Sequence, residues 1–454
     1  MHPIEQALLT SISKHPNTPL VVAYSGGVDS QVLLHALSSL IQKQCFLNAI
    51  TVCHVNHGIS ENALQWQSFA LQQCQHLNLP LKVYQVDIRP QAQHSLEALA
   101  RDARYQALQS IHNVPSLIIT GHHSDDQTET FLLALKRGSG LKGLSAMAYE
   151  TQQGKDVLLR PLLNVSRSDI TDYAKAHELT WIEDESNTDT RFDRNFIRND
   201  IMPLLVKRWP SISSTINRSS EHCLEGQGLL DELANDDLCL CLNDEKKLSV
   251  TQLTKLSVAR FNNLLRYYLA ENHCLMPTSE QLKQLKQQLH AGSDKNPAVK
   301  VGEHYLRRYK DTLHLTSDFQ IVTDWQQEFI AFDCHQEVEL PDQLGTLQLS
   351  VGQVEHNATH FHLAKGQQAI ALPAQDQQAS LRFNHSNPTC LPDYRQHSRS
   401  LKKVLQELNI APWQRKRIPF LYYDNVLVAA VGYFVCQDFL PKKNEPSIII
   451  TWAH

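Results

Sequence analysis

Ser25-Gly26-Gly27-Val28-Asp29-Ser30 sets two hydroxyls, two glycines and a carboxylate directly after the apolar run Leu20-Val21-Val22-Ala23-Tyr24. The glycines let the backbone turn tightly and bring N–H groups close to a phosphate. A helix opening at Val28 would add unpaired donors and partial positive charge. Ser25 and Ser30 can donate hydroxyls. Asp29 is out of place beside phosphate unless a cation bridges them, which points to Mg2+ at Asp29. The lysine of a Walker loop is missing. A plain strand-to-helix glycine turn is the bland alternative.

Two more clusters belong to the same edge. His54-Val55-Asn56-His57-Gly58 closes a second apolar run, and Gly121-His122-His123-Ser124-Asp125-Asp126-Gln127-Thr128-Glu129-Thr130 follows a fourth. Ser124 and Gln127 read as an S-x-x-Q capping box, so a helix should begin there. Asp126, Glu129 and Thr130 then share one helical face. First-turn acids also complement the helix dipole, a reading that suits Asp125 as well as any function does. Histidines 54, 57, 122 and 123 lack a cysteine partner or zinc-ligand spacing, so no transition metal is expected. Lys136-Arg137-Gly138-Ser139-Gly140 is a basic glycine turn, half explained as a helix stop. Further on, Asp184-Glu185-Ser186-Asn187 leads to Arg194 and Arg198, an i,i+4 pair that could clamp phosphate bidentately or form a salt-bridged face.

The elements that must hold these groups alternate. Strands are expected at 20–24, 49–55, 81–86 and 116–120, with helices at 33–41, 62–77 and from Ser95 to Ile111. Such alternation implies a parallel sheet with helices on both faces, and ligands at the carboxyl ends of its strands. Past Trp209-Pro210 the pattern turns helical and polar as far as His290. Two short strands are then expected around Arg307-Arg308. The expected organisation is an α/β catalytic domain over 1–210, a mainly helical domain over 211–318, a connecting region over 319–370 without a readable pattern, and a small α+β domain over 371–454. That last domain should hold a helix at 400–408 and strands at 426–435 and 448–451.

At 454 residues, 42% hydrophobic and 20% charged, the chain reads as a multidomain globular protein. No apolar stretch reaches the roughly 18 residues of a membrane span. Met1 to Ser25 shows no secretory signal pattern, and ten scattered cysteines suit reduced thiols, so a cytoplasmic location is expected. A net charge of −5 leaves room for a local basic face. One candidate is 395–417, where Arg395, Arg399, Lys402, Lys403, Arg415, Lys416 and Arg417 surround the single acid Glu407, with Trp413 available to stack on a base.

SGGVDS resembles the signature of the PP-loop ATP pyrophosphatases, which cleave ATP between the α and β phosphates. The ordered set SGGVDS, HVNHG, GHHSDDQTETFLLALKRGSG, LLRPLL, DESN and RNFIR, with 398–432 near the other end, is similar to the long form of the tRNA(Ile)-lysidine synthetases. That resemblance implies ATP-dependent adenylation of O2 of the wobble cytidine in the CAU anticodon of tRNA(Ile), then attack by free L-lysine to leave lysidine and AMP. By position it implies that Ser25, Gly26, Gly27, Val28, Asp29, Ser30, His54, His57 and Gly121 hold ATP. Asp126 and Glu129 would serve Mg2+, nucleoside or lysine amine, and Arg194 and Arg198 phosphate or tRNA. Lys136, Arg137, Arg399, Lys402, Lys403, Arg415, Lys416 and Arg417 would face tRNA. The family suggests a monomer or a homodimer. Position 56 is Asn where many members of that family carry Asp. Two rivals remain open at this point: a PP-loop tRNA thiolase, which needs a catalytic cysteine or a cysteine-held cluster that no C-x-x-C here supplies, and a nucleotide-binding regulator without catalysis.

Overall fold

The computed structural model describes residues 1–454 except 59, 61, 87–95, 291–296, 330, 331, 333, 334, 354, 355, 358, 359, 362–365, 443, 444 and 454. It divides into two compact units, Met1–Leu233 and Ala234–His454.

The first unit is built on strands β1 (Leu20–Ala23), β2 (Ile50–Asn56), β3 (Leu81–Gln85), β4 (Leu117–Ile119), β5 (Glu150–Gln153) and β6 (Asp156–Leu159). Among the described residues they form one sheet in the order β3-β2-β1-β4-β6-β5. The pairs β1·β2, β2·β3, β1·β4 and β4·β6 are parallel, and β5 runs antiparallel at the edge. The hairpin of β5 and β6 carries no alternation in sequence, so no periodicity announces it. Leu20, Val21 and Val22 are all fully buried, as are Leu117, Ile118 and Ile119 to within 1%. The two faces of the sheet explain the unbroken apolar runs: Leu20, Val22, Leu117 and Ile119 enter one core cluster, while Val21 and Ile118 enter another with Tyr105 and Leu108.

The helices that cover the sheet are α1 (Pro3–Ile12), α2 (Val28–Gln42), α3 (Ala63–His76), α4 (Leu96–Gln109), α5 (Ser124–Lys136), α6 (Leu141–Leu144) and α7 (Arg167–Ala176). The expected start of α4 at Ser95 lies outside the described residues. The chain runs outward from β1 through β2 to β3, then returns to the other side of β1 as β4. The loops after β1 and β4 therefore open side by side at the switch point, where α/β sheets bind ligands. Beyond them lie α8 (Asp193–Phe196), a π turn at Ile197–Ile201, α9 (Met202–Arg208) and α10 (Ile212–Cys241).

In the second unit, helices Val250–Lys255, Val258–Glu271 and Ser279–Leu289 pack their leucines on strands Ala298–Val301, His304–Tyr309 and Thr312–Ser317. The sequence predicts two strands around Arg307-Arg308. There are three instead, and both arginines lie inside the middle one. The reversals fall at Gly302 and Lys310, both with positive φ. The stretch 319–370, unreadable in sequence, contains Gln336–Glu339, Thr346–Gln353 and Gln367–Ala371, which share an antiparallel sheet with the distant Pro446–Ala453. Thr346–Gln353 and Gln367–Ala371 both pair with that distant strand, and Gln336–Glu339 adds on to Thr346–Gln353. The expected helix at 400–408 is Leu401–Glu407, and the expected 426–435 strand is two, Val426–Ala430 and Phe434–Val435, broken at Gly432 (φ +82°).

Candidate functional site

The loop between β1 and α2 is braced from within. Ser30 Oγ accepts the amides of Ser25 (3.3 Å) and Gly26 (3.0 Å), and donates to the carbonyl of Gly27 (2.9 Å). Gly26 has φ +90°, and a Cβ there would lie 2.8 Å from Ile182 Cδ1. Gly27 is the extended N-cap of α2 and Val28 its buried first residue. Asp29 therefore emerges on the first turn of α2, beside Gly121, where a Cβ would come within 3.1 Å of the Asp29 carbonyl. The two loops could not approach so closely with a side chain at 121.

Asp29 is bound by both of its oxygens to Arg167, at the first residue of α7. An arginine opposes the positive end of its own helix, so this carboxylate is what compensates its charge. On its other side Asp29 faces His123 Nε2 at 3.6 Å, which in turn lies 3.4 Å from Asp126 Oδ2. His123 Nδ1 accepts the amide of Asp125 at 3.3 Å, so the ring proton belongs on Nε2, between the two carboxylates.

The cap of α5 differs from the expected Ser124–Gln127 box. His123 is the N-cap, Asp126 is the reciprocal N3 residue with its carboxylate on the His123 amide (3.1 Å), and Gln127 instead pairs twice with the backbone of Met147 at 2.8 Å. An imidazole nitrogen does here what a serine hydroxyl does elsewhere. The frame moves by one residue, yet the helix starts at Ser124 as expected.

Asp126 and Glu129 do share a face, and the arginines meet them there. Arg198 spans both, with Nε to Glu129 Oε1 at 2.6 Å, and Nη2 to Glu129 Oε2 at 2.9 Å and to Asp126 Oδ1 at 3.1 Å. Arg194 reaches Thr130 Oγ1 at 3.2 Å and Glu129 at 3.7 Å. The i,i+4 pair thus faces carboxylates, not an open anion site. Burial alone would raise Asp126, but His123, His122 and Arg198 together outweigh it and hold it below the ordinary carboxylate range. For Glu129 burial prevails: its pKa is raised even with Arg198 on both oxygens. Two neighbouring carboxylates are pushed in opposite directions, an arrangement typical of acid–base sites.

Burial keeps the other histidines neutral. His54 is depressed, with Nδ1 3.1 Å from the carbonyl of Tyr24. Burial also depresses His57, helped by Arg104 and His54. His122 is held far below its usual value by burial and pairs with Thr120 Oγ1 at 2.7 Å. Asn56 accepts the Gly58 amide (2.9 Å) and donates to Gln67 (3.2 Å), so an amide here holds a turn and fills both roles at once. Cys53, in strand β2 beside His54, is pushed up by burial to about 12, too high for a nucleophilic thiolate at neutral pH.

Lys136 is tied to Asp193 (2.6 Å), joining α5 to α8 at the surface, and Arg137 is exposed. Of the carboxyl-terminal cations, Lys402, Lys403 and Lys416 are exposed. Glu407 holds both Arg395 and Arg399. Arg415 caps the carbonyl of Ile410 at 2.8 Å. Arg417 is bound to the side chain and backbone of Asp342, 4.2 Å over the ring of Phe319. Trp413 packs edge-on against His314 (5.3 Å) and Tyr309 (6.2 Å). The expected basic face is thus smaller than its charge count, because arginines serve as internal braces as readily as surface cations.

Sequence reasoning missed Arg167 and the bridging place of His123. A carboxylate at position 29 already required a cation, and Ser166-x-x-Asp169 marks a helix start next to Arg167. That cap could have found it.

A PP-loop domain family matches residues 1–205, a TilS substrate binding domain family 248–314, and a TilS substrate C-terminal domain family 379–452. The tRNA(Ile)-lysidine synthase of Vibrio vulnificus strain CMCP6 is 42% identical over 431 residues, 94% of this chain and 95% of that protein. That of Serratia proteamaculans strain 568 is 41% identical over 429 residues, 94% of each. Among solved structures, a U34-tRNA thiolase from Methanococcus maripaludis aligns over 49% of this chain and 78% of its own at 17% identity, with a TM-score of 0.41.

Proposed function

Because the chain belongs to the tRNA(Ile)-lysidine synthase family, we propose that the cluster of side chains from Asp29 to Glu129 joins free L-lysine to C2 of the wobble cytidine in a CAU anticodon. The enzyme is an ATP-using ligase that modifies tRNA. The observation that carries the reading is the placement of the braced phosphate loop and the Asp126–Glu129–Arg198 cluster at adjacent strand ends of one sheet.

The chemistry divides into two steps. Cytidine O2 attacks the α-phosphate of ATP and pyrophosphate leaves. The lysine side-chain nitrogen then attacks C2, sheds a proton, and AMP leaves with the oxygen. The amides of Val28, Asp29 and Ser30 at the start of α2, with Ser25 and Gly121 beside them, bind the phosphates. His54 and His57, held neutral, line the strand end where the nucleoside of ATP lies. Asp126, held ionised, receives the lysine ammonium, and Glu129, with its raised pKa, takes the proton. Arg198 and Arg194 hold Glu129 in place.

Among the described residues no group of three or more His, Cys, Asp or Glu side chains could cage a metal ion. Mg2+ nevertheless fits, since it binds through one or two carboxylates and the phosphates themselves. Asp29 is the carboxylate in position, once Arg167 yields it. Bound there, Mg2+ would neutralise charge on the departing pyrophosphate. The second unit is assigned to the body of the tRNA, and 1–210 to catalysis. No described helix is long and apolar enough to cross a membrane, and a cytoplasmic site of action, next to tRNA, follows from the reading.

Incubation with ATP, Mg2+, labelled lysine and a CAU-anticodon tRNA(Ile), followed by nucleoside analysis, should yield labelled lysidine. Pyrophosphate release without labelled nucleoside would reject the reading.

A further inference from the structure

The segment that supplies Arg194 and Arg198 has a second face. Phe192 and Phe196 are 49% and 44% exposed, one helical turn apart, with the Phe196 amide bound to the Phe192 carbonyl at 3.0 Å. Arg194 lies half a turn from each ring and points the other way, to Thr130 and Glu129. One short stretch thus presents arginines to the reacting centre and aromatic rings to solvent. The π turn at Ile197–Ile201 follows immediately, a distortion found often at functional sites.

The charge around these rings suits a polyanion. Arg191 is paired with Asp189, and Arg194 and Arg198 with Glu129 and Asp126, so the cations this segment leaves for a ligand are Lys207 and Arg208. Lys207 and Arg208 are exposed, as are Arg137 and Lys142 nearby in the same unit. Exposed aromatics among cations are the usual means of holding single-stranded nucleic acid, where rings take the bases and cations the phosphates.

We propose that Phe192 and Phe196 form a stacking shelf for the unpaired anticodon bases next to the reacting cytidine, with the exposed Lys207 and Arg208 on the adjoining phosphates. The proposal rests on the reading of the chain as a tRNA(Ile)-lysidine synthase. A shelf beside Arg198 would fix the splayed loop so that one base reaches Asp126 and Glu129. These are positioning residues: the rings touch neighbouring bases and take no part in bond making.

The test uses the full chain and the tRNA with 2-aminopurine in place of the middle anticodon adenine. Stacking quenches that base, so wild type should quench its fluorescence on binding. Phe192→Ala and Phe196→Ala should each remove much of the quenching and raise the KM for tRNA about tenfold. ATP affinity and melting temperature should stay at wild-type values. Phe192→Tyr and Phe196→Tyr should restore both readouts, whereas leucine at either position should not. Leucine variants with wild-type KM and quenching would overturn the shelf in favour of plain apolar packing. A wild-type protein that is a dimer, with the alanine variants monomeric, would overturn it too and assign the rings to a second copy of the chain. Wild-type enzyme that incorporates no lysine would overturn the functional reading along with the shelf; active wild type with unaffected alanine variants would overturn the shelf alone.

Discussion

Asp29 is a carboxylate on the loop proposed to cradle phosphate, and Arg167 and His123 lie on either side of it. Asp29→Ala should leave the fold intact, since the side chain is partly exposed, yet cost on the order of 3 kcal/mol in the adenylation transition state. Pyrophosphate release dependent on tRNA should fall by roughly a hundredfold or more. A rate near wild type would show that the carboxylate serves only to anchor Arg167. Glu129 has a different signature. If it accepts the lysine proton, Glu129→Gln should spare the first burst of pyrophosphate and slow lysine transfer by about a hundredfold. In wild type, lysine transfer should fail as pH drops through the raised pKa of Glu129, at a higher pH than an ordinary glutamate would give. Equal loss of both half-reactions in the glutamine variant would remove Glu129 from that role. These residue types could be read from sequence because phosphate loops and paired carboxylates are local and dense. The Ser166 cap marks the helix that carries Arg167, but the pairing with Asp29 spans 138 positions and no local pattern announces it.

At the scale of elements, what was legible followed from periodicity. Strands β1, β2 and β4 are short, largely buried apolar runs, β3 is a partly exposed edge strand, and each of the four lies within about two residues of its expected position. The hairpin of β5 and β6 and the strands of 319–370 were not legible, since Glu150-Thr151-Gln152-Gln153 and Gln336-Glu337-Val338-Glu339 are mostly polar and Thr346–Gln353 and Gln367–Ala371 pair far along the chain. The position of α2, and hence of Asp29, depends partly on α1. Glu5 of α1 is buried, with Lys43 Nζ on its Oε1 at 2.9 Å and Ser39 Oγ at 2.7 Å. Burial pushes its pKa up, but Lys43, Ser39 and the His2 amide prevail and hold it down to about 2 from an ordinary 4.5. A depressed carboxylate contributes stability above its unfolded value and loses it as pH falls towards the folded one. The wild-type melting temperature should therefore decline between about pH 5 and pH 2 more steeply than that of Glu5→Gln, which lacks this titration. Parallel pH profiles for the two proteins would show that Glu5 does not hold α1 to α2.

The whole molecule must hold a tRNA while one base reacts, on a chain that is acidic overall. Affinity then has to come from local cations. Composition alone offers seven of these between 395 and 417, but composition cannot separate a free cation from a brace. The structure separates them. Arg395 and Arg399 are held by Glu407, Arg415 by the Ile410 carbonyl, and Arg417 by Asp342 and Phe319. Lys402, Lys403 and Lys416 are left exposed, and no acid among the described residues forms an ion pair with any of them. Phosphate contacts set affinity and its salt dependence without reading sequence. Changing all three lysines to Glu should therefore raise the Kd for tRNA, whatever its anticodon, and leave ATP binding and melting temperature unchanged. The log–log salt slope should flatten by about 0.7 to 0.9 for each phosphate that is no longer neutralised, or roughly 2 to 3 for the three together. Arg417→Ala supplies the contrast. It breaks bonds to the side chain and backbone of Asp342, so it should lower the melting temperature, by an amount worth on the order of 2 kcal/mol, whether or not tRNA is present. Titrations between about 50 and 200 mM salt decide the matter. A slope unchanged in the triple-lysine variant would mean that this face is ordinary solvated surface, and that the tRNA is gripped mainly from the first unit, where the cations around Phe192 and Phe196 stand.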